Sequence, residues 1–332
     1  MTQVPRVSIV IPTYNSATYL APTIESVCAQ TIADWELMLF DDGSSDGTVE
    51  LAEALAKGDP RMRIVRGDHG GIAAARNGGY RQTHPESEFV IFLDSDDTWE
   101  ARALALLVSA LDGHPECPAA HGLARSVDPQ GKQYEGDDLP DVMRRRRELH
   151  DGRLVDLPIS APTSFEAELV LNNATTPGTT LIRRQVFESL GGFEASVVPA
   201  EDWDINLQIA RLGGFALVNE VILNWRRYPN STSSASKRNR RARLGVWRRT
   251  LQSSANTPQQ RQAAWMALNS EFRFLGTSSW RALVRGQVWP AGKTLILMLL
   301  YARVMTQVAL ERQVNRWRVR NESAPRPSEK TA

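Results

Sequence analysis

Phe89-Val90-Ile91-Phe92-Leu93-Asp94-Ser95-Asp96-Asp97 and, earlier in the chain, Trp35-Glu36-Leu37-Met38-Leu39-Phe40-Asp41-Asp42-Gly43 decide the fold. Each is an apolar run that stops at a cluster of acids. Apolar runs of this length, set between helical patterns, read as strands buried on both faces of a parallel sheet. In open α/β sheets ligands bind outside the carboxyl ends of the strands, so both clusters line one cleft. Carboxylates gathered there repel one another unless something compensates them. A hard divalent cation with a phosphate-bearing ligand is the simplest compensation.

Outward from these two runs, strands at 7–12, 35–41, 62–66 and 89–94 alternate with helices at 17–30, 46–57 and 72–82, the pattern of successive βαβ units. Beyond them the spacing predicts a helix over 99–112, a strand over 119–127 and a mobile polar loop from Asp128 to Asp156. That loop holds both Glu135-Gly136-Asp137-Asp138 and Arg144-Arg145-Arg146-Arg147.

The 332 residues are 42% hydrophobic, enough for a packed core. Cys28 and Cys117 show neither metal spacing nor a disulfide framework, which suits a reducing compartment. The five histidines lack zinc-site spacing, and Met1 leads into the first strand without a signal-peptide pattern. The net charge of +1 hides a division: residues 1–232 carry 20 Lys/Arg and 34 Asp/Glu, whereas residues 233–332 carry 19 and 4. A Ser-rich stretch from Ser231 to Ser236 marks the boundary between an acidic body and a basic tail.

The tail reads as helices near 238–253, 258–275 and 291–319. Its uncharged run from Thr294 to Ala302 is far short of the roughly 20 residues that span a bilayer. With Trp247, Trp265, Trp280, Trp289 and Trp317, the tail suits an interfacial helix on anionic lipid, or apolar faces packed on the body with the arginines solvated. No nucleic-acid-binding motif is present.

The acids divide by position. Asp42 stands at a strand end, where its carboxylate can accept a hydrogen bond from a nucleobase, while Asp41 points to the opposite face. Ser45 or Asp46 is suited to cap the following helix, and Asp97-Thr98-Trp99-Glu100 has capping-box spacing. Asp94 and Asp96, two apart on an extended chain, share a side, one for a ribose hydroxyl and one for a metal. In Glu201-Asp202-Trp203-Asp204, Asp202 falls on the inward stripe with Ile205, Ile209 and Leu212. There the positive end of the helix dipole keeps it ionised, as a general base requires, the alternative being that it simply caps the helix. Asp204 lines up with Gln208 and Arg211 as a solvent-face residue. Gly70-Gly71 opens a helix without the Lys-Ser/Thr of a Walker motif, and Ala73, Ala74 and Ala75 suggest close helix packing. Arg76, one turn in, can orient an aspartate or a diphosphate.

In this order, Val7-Ser8-Ile9-Val10-Ile11-Pro12-Thr13-Tyr14-Asn15, Asp41-Asp42-Gly43-Ser44-Ser45-Asp46-Gly47-Thr48, Ala75-Arg76-Asn77, Leu93-Asp94-Ser95-Asp96-Asp97, Gly191-Gly192-Phe193 and Glu201-Asp202 make the chain resemble a family 2 glycosyltransferase over about residues 5–230. The resemblance implies a GT-A fold, α/β and Rossmann-like, with a mostly parallel central sheet flanked by helices. To this the basic region 233–332 adds a C-terminal helical extension. It also implies inverting, metal-dependent transfer of a sugar from a nucleoside diphosphate, UDP favoured, to an acceptor hydroxyl on a glycan or lipid-linked glycan.

Carried over to this chain, Pro12, Thr13, Tyr14 and Asp42 hold the nucleobase and ribose side, with Arg76 in support. Asp94 and Ser95 meet the donor, and Asp96 coordinates Mg²⁺ or Mn²⁺. Asp202 is the base, and Glu201 and Trp203 lie on the acceptor side. Many relatives carry a histidine where Trp225-Arg226-Arg227-Tyr228-Pro229-Asn230-Ser231 offers Tyr228, so Arg226 or Arg227 becomes the alternative diphosphate contact. Two other classes compete. A sugar-1-phosphate nucleotidyltransferase carries a Gly-rich basic loop after its first strand, unlike Pro12-Thr13-Tyr14-Asn15. A non-catalytic nucleotide-sugar-binding or membrane scaffold protein needs no inward Asp202. The expected setting is cytoplasmic, peripheral on the inner face of the plasma membrane, in bacterial envelope polysaccharide or glycolipid synthesis.

Overall fold

The computed structural model describes residues 4–150, 153–174, 176–228 and 236–284, with scattered positions between 296 and 306. The first half runs β1 (Val7–Thr13), α1 (Leu20–Cys28), β2 (Trp35–Asp41), α2 (Thr48–Ala56), β3 (Met62–Arg66), α3 (Ile72–Arg81), β4 (Phe89–Phe92), β5 (Thr98–Trp99), α4 (Ala103–Gly113) and β6 (Ala119–Val127). There follow α5 (Leu139–Arg144), β7 (Arg147–His150), β8 (Arg153–Asp156), α6 (Phe165–Val170), β9 (Thr180–Arg183), α7 (Arg184–Leu190), α8 (Glu201–Ala210), β10 (Phe215–Arg226), α9 (Ser236–Gln252) and α10 (Pro258–Val284).

Eight strands form one sheet in the order β3-β2-β1-β4-β9-β6-β10-β5. Strands β1 to β4 are parallel, as are β6 and β10, while β9 enters antiparallel between β4 and β6. This is the expected α/β class with a mostly parallel sheet. Every residue of β1 is buried because both faces are covered. Val7, Ile9 and Ile11 enter one apolar cluster with α1 and α4, and Val10 enters the other with α7, α8, α9 and α10.

Helix α3 lies close on the sheet, but the glycines allow it more than the alanines do. A Cβ on Gly78 would fall 2.6 Å from the Phe40 ring, and one on Gly79 2.6 Å from Val10. Ala73 and Ala75 are buried, whereas Ala74 is exposed.

Three expectations need correction. The helix expected from residue 99 starts at Ala103, because Thr98-Trp99 pairs with β10. Asp97 therefore caps no helix; its buried carboxylate accepts the backbone N–H of Arg226 at 2.9 Å. The loop expected from Asp128 to Asp156 is folded into α5 and the β7–β8 hairpin. It is anchored by the fully buried Arg146, which donates to the carbonyls of Pro158, Ile159 and Ala161 and to Thr163 Oγ1.

The described part of the tail packs on the body. Trp247 meets Trp203 edge to face at 5.5 Å, and Arg249 bonds Asp204 and Glu194, each at 3.0 Å. Asp204, expected to face solvent, is buried because α9 covers that side of α8. The Ser231–Ser236 boundary other than Ser236, and most of the expected 291–319 helix with Trp289 and Trp317, lie outside the described residues. Among the described residues no helix is long and apolar enough to cross a membrane.

Candidate functional site

The site is assembled at the carboxyl ends of β1, β2 and β4. Beyond Pro12 and Thr13 the chain leaves the sheet through Asn15, whose φ of 50° is left-handed, a conformation asparagine tolerates better than most residues. Asn15 bonds Ser44 Oγ and the Ser45 N–H, and Thr13 Oγ1 donates to Asp41, so the ends of β1 and β2 are tied together. Asp41 also accepts from the backbone of Gly43 and Ser44 and is occupied in folding the turn. Asp46 is structural as well, accepting from Ala17 and Thr48.

Asp42 is buried, and each of its oxygens accepts one backbone N–H, from Gly70 and Gly71, at 2.8 Å. It thus fixes the loop that opens α3, and each oxygen keeps further acceptor capacity. Beside it the Tyr14 ring, 51% exposed, stacks on His69 at 4.4 Å. The sequence gives no spacing signal for His69. It is placed by its own loop, with Nδ1 3.0 Å from the Asp42 carbonyl.

Arg76 is the centre of the arrangement. It is 3% exposed, and its Nη2 donates to Asp94 Oδ1 and its Nη1 to Glu201 Oε1, both at 2.6 Å. Burial opposes its charge, yet Asp94 and Glu201 outweigh burial and hold the guanidinium protonated. The Phe193 ring lies 5.2 Å below it. The next residue, Asn77, clamps that ring's segment by bonding both the N–H and the carbonyl of Phe193 at 2.9 Å. Gly192 is required there, since a Cβ would sit 2.4 Å from Asn77 Oδ1 at a φ of +89°.

Ser95 contacts Ser16 Oγ at 2.8 Å, and its carbonyl accepts from Thr23. Asp96 accepts the Tyr228 hydroxyl on Oδ2 at 2.9 Å, while its carbonyl accepts from Arg226 Nε. Its carboxyl is pushed up to about 6 by burial and by Asp94, with the Tyr228 hydrogen bond pulling the other way. The Arg226 guanidinium is engaged within the protein. It is buried over the Tyr19 ring and spent on the carbonyls of Asp96, Asp128 and Pro129.

Asp202 follows Glu201 in the first turn of α8, which has no side-chain cap; its Oδ1 accepts the Trp203 N–H at 2.6 Å. The dipole does not keep it fully ionised, because burial and the neighbouring Glu201 push it up to about 7, against the pull of Arg76. A carboxyl poised near neutrality suits a general base at that pH. The two acceptor-side expectations are not placed for contact. Glu201 is buried against Arg76, and Trp203, 6% exposed, turns into the core with its indole N–H on the Glu168 carbonyl at 3.1 Å.

A divalent cation fits these residues. Asp94 and Asp96 offer hard oxygen donors, and the raised Asp96 carboxyl has a phenol but no salt-bridge partner among the described residues.

Comparison with known proteins places this geometry. Over 231 residues the chain is 27% identical to a hyaluronan synthase of Pasteurella multocida, covering 70% of this chain and 21% of that protein. It is 38% identical over 106 residues to the UDP-Glc:alpha-D-GlcNAc-diphosphoundecaprenol beta-1,3-glucosyltransferase of Escherichia coli, covering 32% and 40% of the two chains. The chain thus spans about a fifth of the length of the synthase. Among solved structures, TarS residues 1–349 of S. aureus in complex with UDP-GlcNAc superposes with a TM-score of 0.62 at 18% identity, covering 81% of this chain and 73% of that one. The mannosyltransferase PcManGT of Pyrobaculum calidifontis in complex with GDP-Man and Mn²⁺ gives 0.55 at 19%, covering 93% and 88%. These likenesses show the GT-A fold. Residues 8–191 match the glycosyl transferase family 2 profile, and the chain belongs to that family.

Proposed function

We propose that the chain transfers a sugar, with inversion, from a nucleoside diphosphate donor, UDP favoured, to a hydroxyl of a glycan or lipid-linked glycan in bacterial envelope synthesis. The observation that supports this most is the Arg76 bridge, which fastens Asp94 at the end of β4 to Glu201, the residue before the candidate base. Tyr14 and His69 receive the nucleobase, with Pro12, Thr13 and Asp42 shaping that side. Asp94 and Ser95 meet the ribose and diphosphate, and Asp96, with Asp94 beside it, would hold the divalent cation. When bound, Mg²⁺ or Mn²⁺ stabilises the charge that develops on the departing diphosphate. Asp202 takes the acceptor proton as the hydroxyl attacks the anomeric carbon from the face opposite the diphosphate. We assign these roles to residues 1–232 and propose anionic lipid on the inner face of the plasma membrane as a partner of the basic region 233–332.

Calorimetry with a panel of nucleotide sugars, in Mn²⁺, Mg²⁺ and EDTA, tests the reading on the wild type and on Asp96→Ala. Metal-dependent binding of one donor, lost in Asp96→Ala, is expected. A folded chain that binds none of them refutes it, and binding without turnover over an acceptor panel turns it into a scaffold.

A further inference from the structure

Glu168 is a buried acid that the proposed chemistry leaves unused. Its side chain is wholly inaccessible, Oε2 accepts the Asn173 N–H at 2.9 Å, and Oε1 has no partner. No salt bridge reaches it among the described residues. A carboxyl buried without a cation is held neutral by the cost of desolvating its charge.

Its place in the fold is specific. The Glu168 carbonyl accepts the indole N–H of Trp203, and the Trp203 backbone N–H donates in turn to Asp202 Oδ1. The segment bearing the candidate base is therefore moored to this residue's own main chain. Asn173 closes the loop after α6 by donating to the carbonyls of Ala167 and Leu171, and Asn206 of α8 donates to Ala174. Strand β7 and helices α8 and α10 pack against α6, and Arg261 and Arg273 of α10 are exposed. Asp202 and Glu201 lie on α8, Glu166 is on its own helix, and Glu148 on β7 is bonded to Ser164. Arg211 lies over the Phe165 ring and Arg243 over the Trp203 ring. Burial and then the proximity of Asp202 push the Glu168 carboxyl up to about 8.

We propose that Glu168 is a positioning residue for the transfer, a carboxylic acid that keeps its proton while Asp202 ionises and so spares the base a further buried negative charge beyond that of Glu201. Loss of that proton to solvent at alkaline pH places a charge beneath the Trp203 tie and disables the base. The inference rests on the glycosyl-transfer reading and on Asp202 as the base.

The test compares wild type with Glu168→Gln, which keeps the shape and neutrality of the acid. Wild-type kcat/KM falls on the alkaline side near the Glu168 ionisation, by about tenfold per pH unit once the proton is lost. In Glu168→Gln that limb is absent, and the acid limb set by Asp202 is kept. Superimposed profiles overturn the proposal. A direct reading needs no turnover: the infrared difference between wild type and Glu168→Gln shows a protonated carboxyl band that persists at neutral pH and vanishes at alkaline pH. A carboxylate band at neutral pH overturns the proposal whatever the activity. A wild type that shows the protonated band yet transfers no sugar instead refutes the glycosyl-transfer reading.

Discussion

Replacing Arg76 with Met removes the cation that bridges Asp94 and Glu201 while keeping an unbranched, similarly long side chain. Both hydrogen bonds are 2.6 Å, the guanidinium is almost fully buried, and Glu201 already has one oxygen without a partner. The variant therefore leaves a buried carboxylate uncompensated, which costs about 3–5 kcal/mol. At roughly 2 °C per kcal/mol for a chain of this size, the midpoint of thermal unfolding falls by about 6–10 °C. Arg76 also pulls the Asp202 carboxyl down, so the acid limb of the pH–rate profile moves to higher pH in the variant. Adding Glu201→Gln recovers part of the stability, because the two residues share one network. Thermal unfolding by circular dichroism over pH 5–8, with pH–rate profiles on active material, measures all three. An Arg76→Met protein within about 1 kcal/mol of wild type at neutral pH would refute the idea that this bridge organises the site.

Further outcomes follow from the same geometry. Asp202→Asn lowers transfer by about 10²–10⁴-fold and leaves donor affinity unchanged; substantial turnover would remove its role as base. Asp202, Glu168 and Asp96 are all raised above their unfolded values and together outweigh His121, which burial pushes down to about 4, so the folded chain binds more protons than the unfolded one between about pH 4 and 8. Stability contributed by their protonated forms is complete at the low end of that window and is lost as pH rises through their folded values. The unfolding midpoint is thus higher at pH 5 than at pH 8, and a flat profile across that range contradicts the assignment. Arg249→Ala leaves the buried Asp204 carboxylate with Gln208 as its hydrogen-bond partner among the described residues, and Arg211 as a more distant cation, and costs about 1–2 kcal/mol in chemical denaturation after allowing for the partial exposure of Arg249; no change would mean that α9 is held by its apolar contacts alone.

What the sequence disclosed and what it withheld have physical causes. The parallel strands were legible because burial on both faces demands unbroken apolar runs. Strand β9 was not, since Thr180–Arg183 is short and its antiparallel entry depends on the strands either side of it. The β7–β8 hairpin reads as loop because β8 is exposed throughout and Arg147, Glu148 and His150 of β7 are polar, and its anchor, Arg146, lies within a run of arginines. Asp204 was assigned to solvent because a periodic pattern marks one apolar face, whereas α8 is covered on more than one side by elements distant in sequence. Asp42, Arg76, Asp94, Asp96 and Asp202 stand out in the sequence because each lies at a strand end or within the first turns of a helix. His69 and Glu168 were missed because a loop and a buried mooring leave no periodic trace.

The tail also fixes when the site can be finished. Trp203, Ile205 and Ile209 of α8 share their apolar cluster with Trp247, Leu251, Ala264 and Leu268. During synthesis the helix that carries Asp202 leaves the ribosome long before the residues that cover it. At about 5–20 residues per second, Leu268 follows Glu201 by roughly 3–13 s. Through that interval the inner face of α8 is open to water, so the sheet and the nucleoside side can form early while the base reaches its final surroundings only after α9 and α10 have emerged.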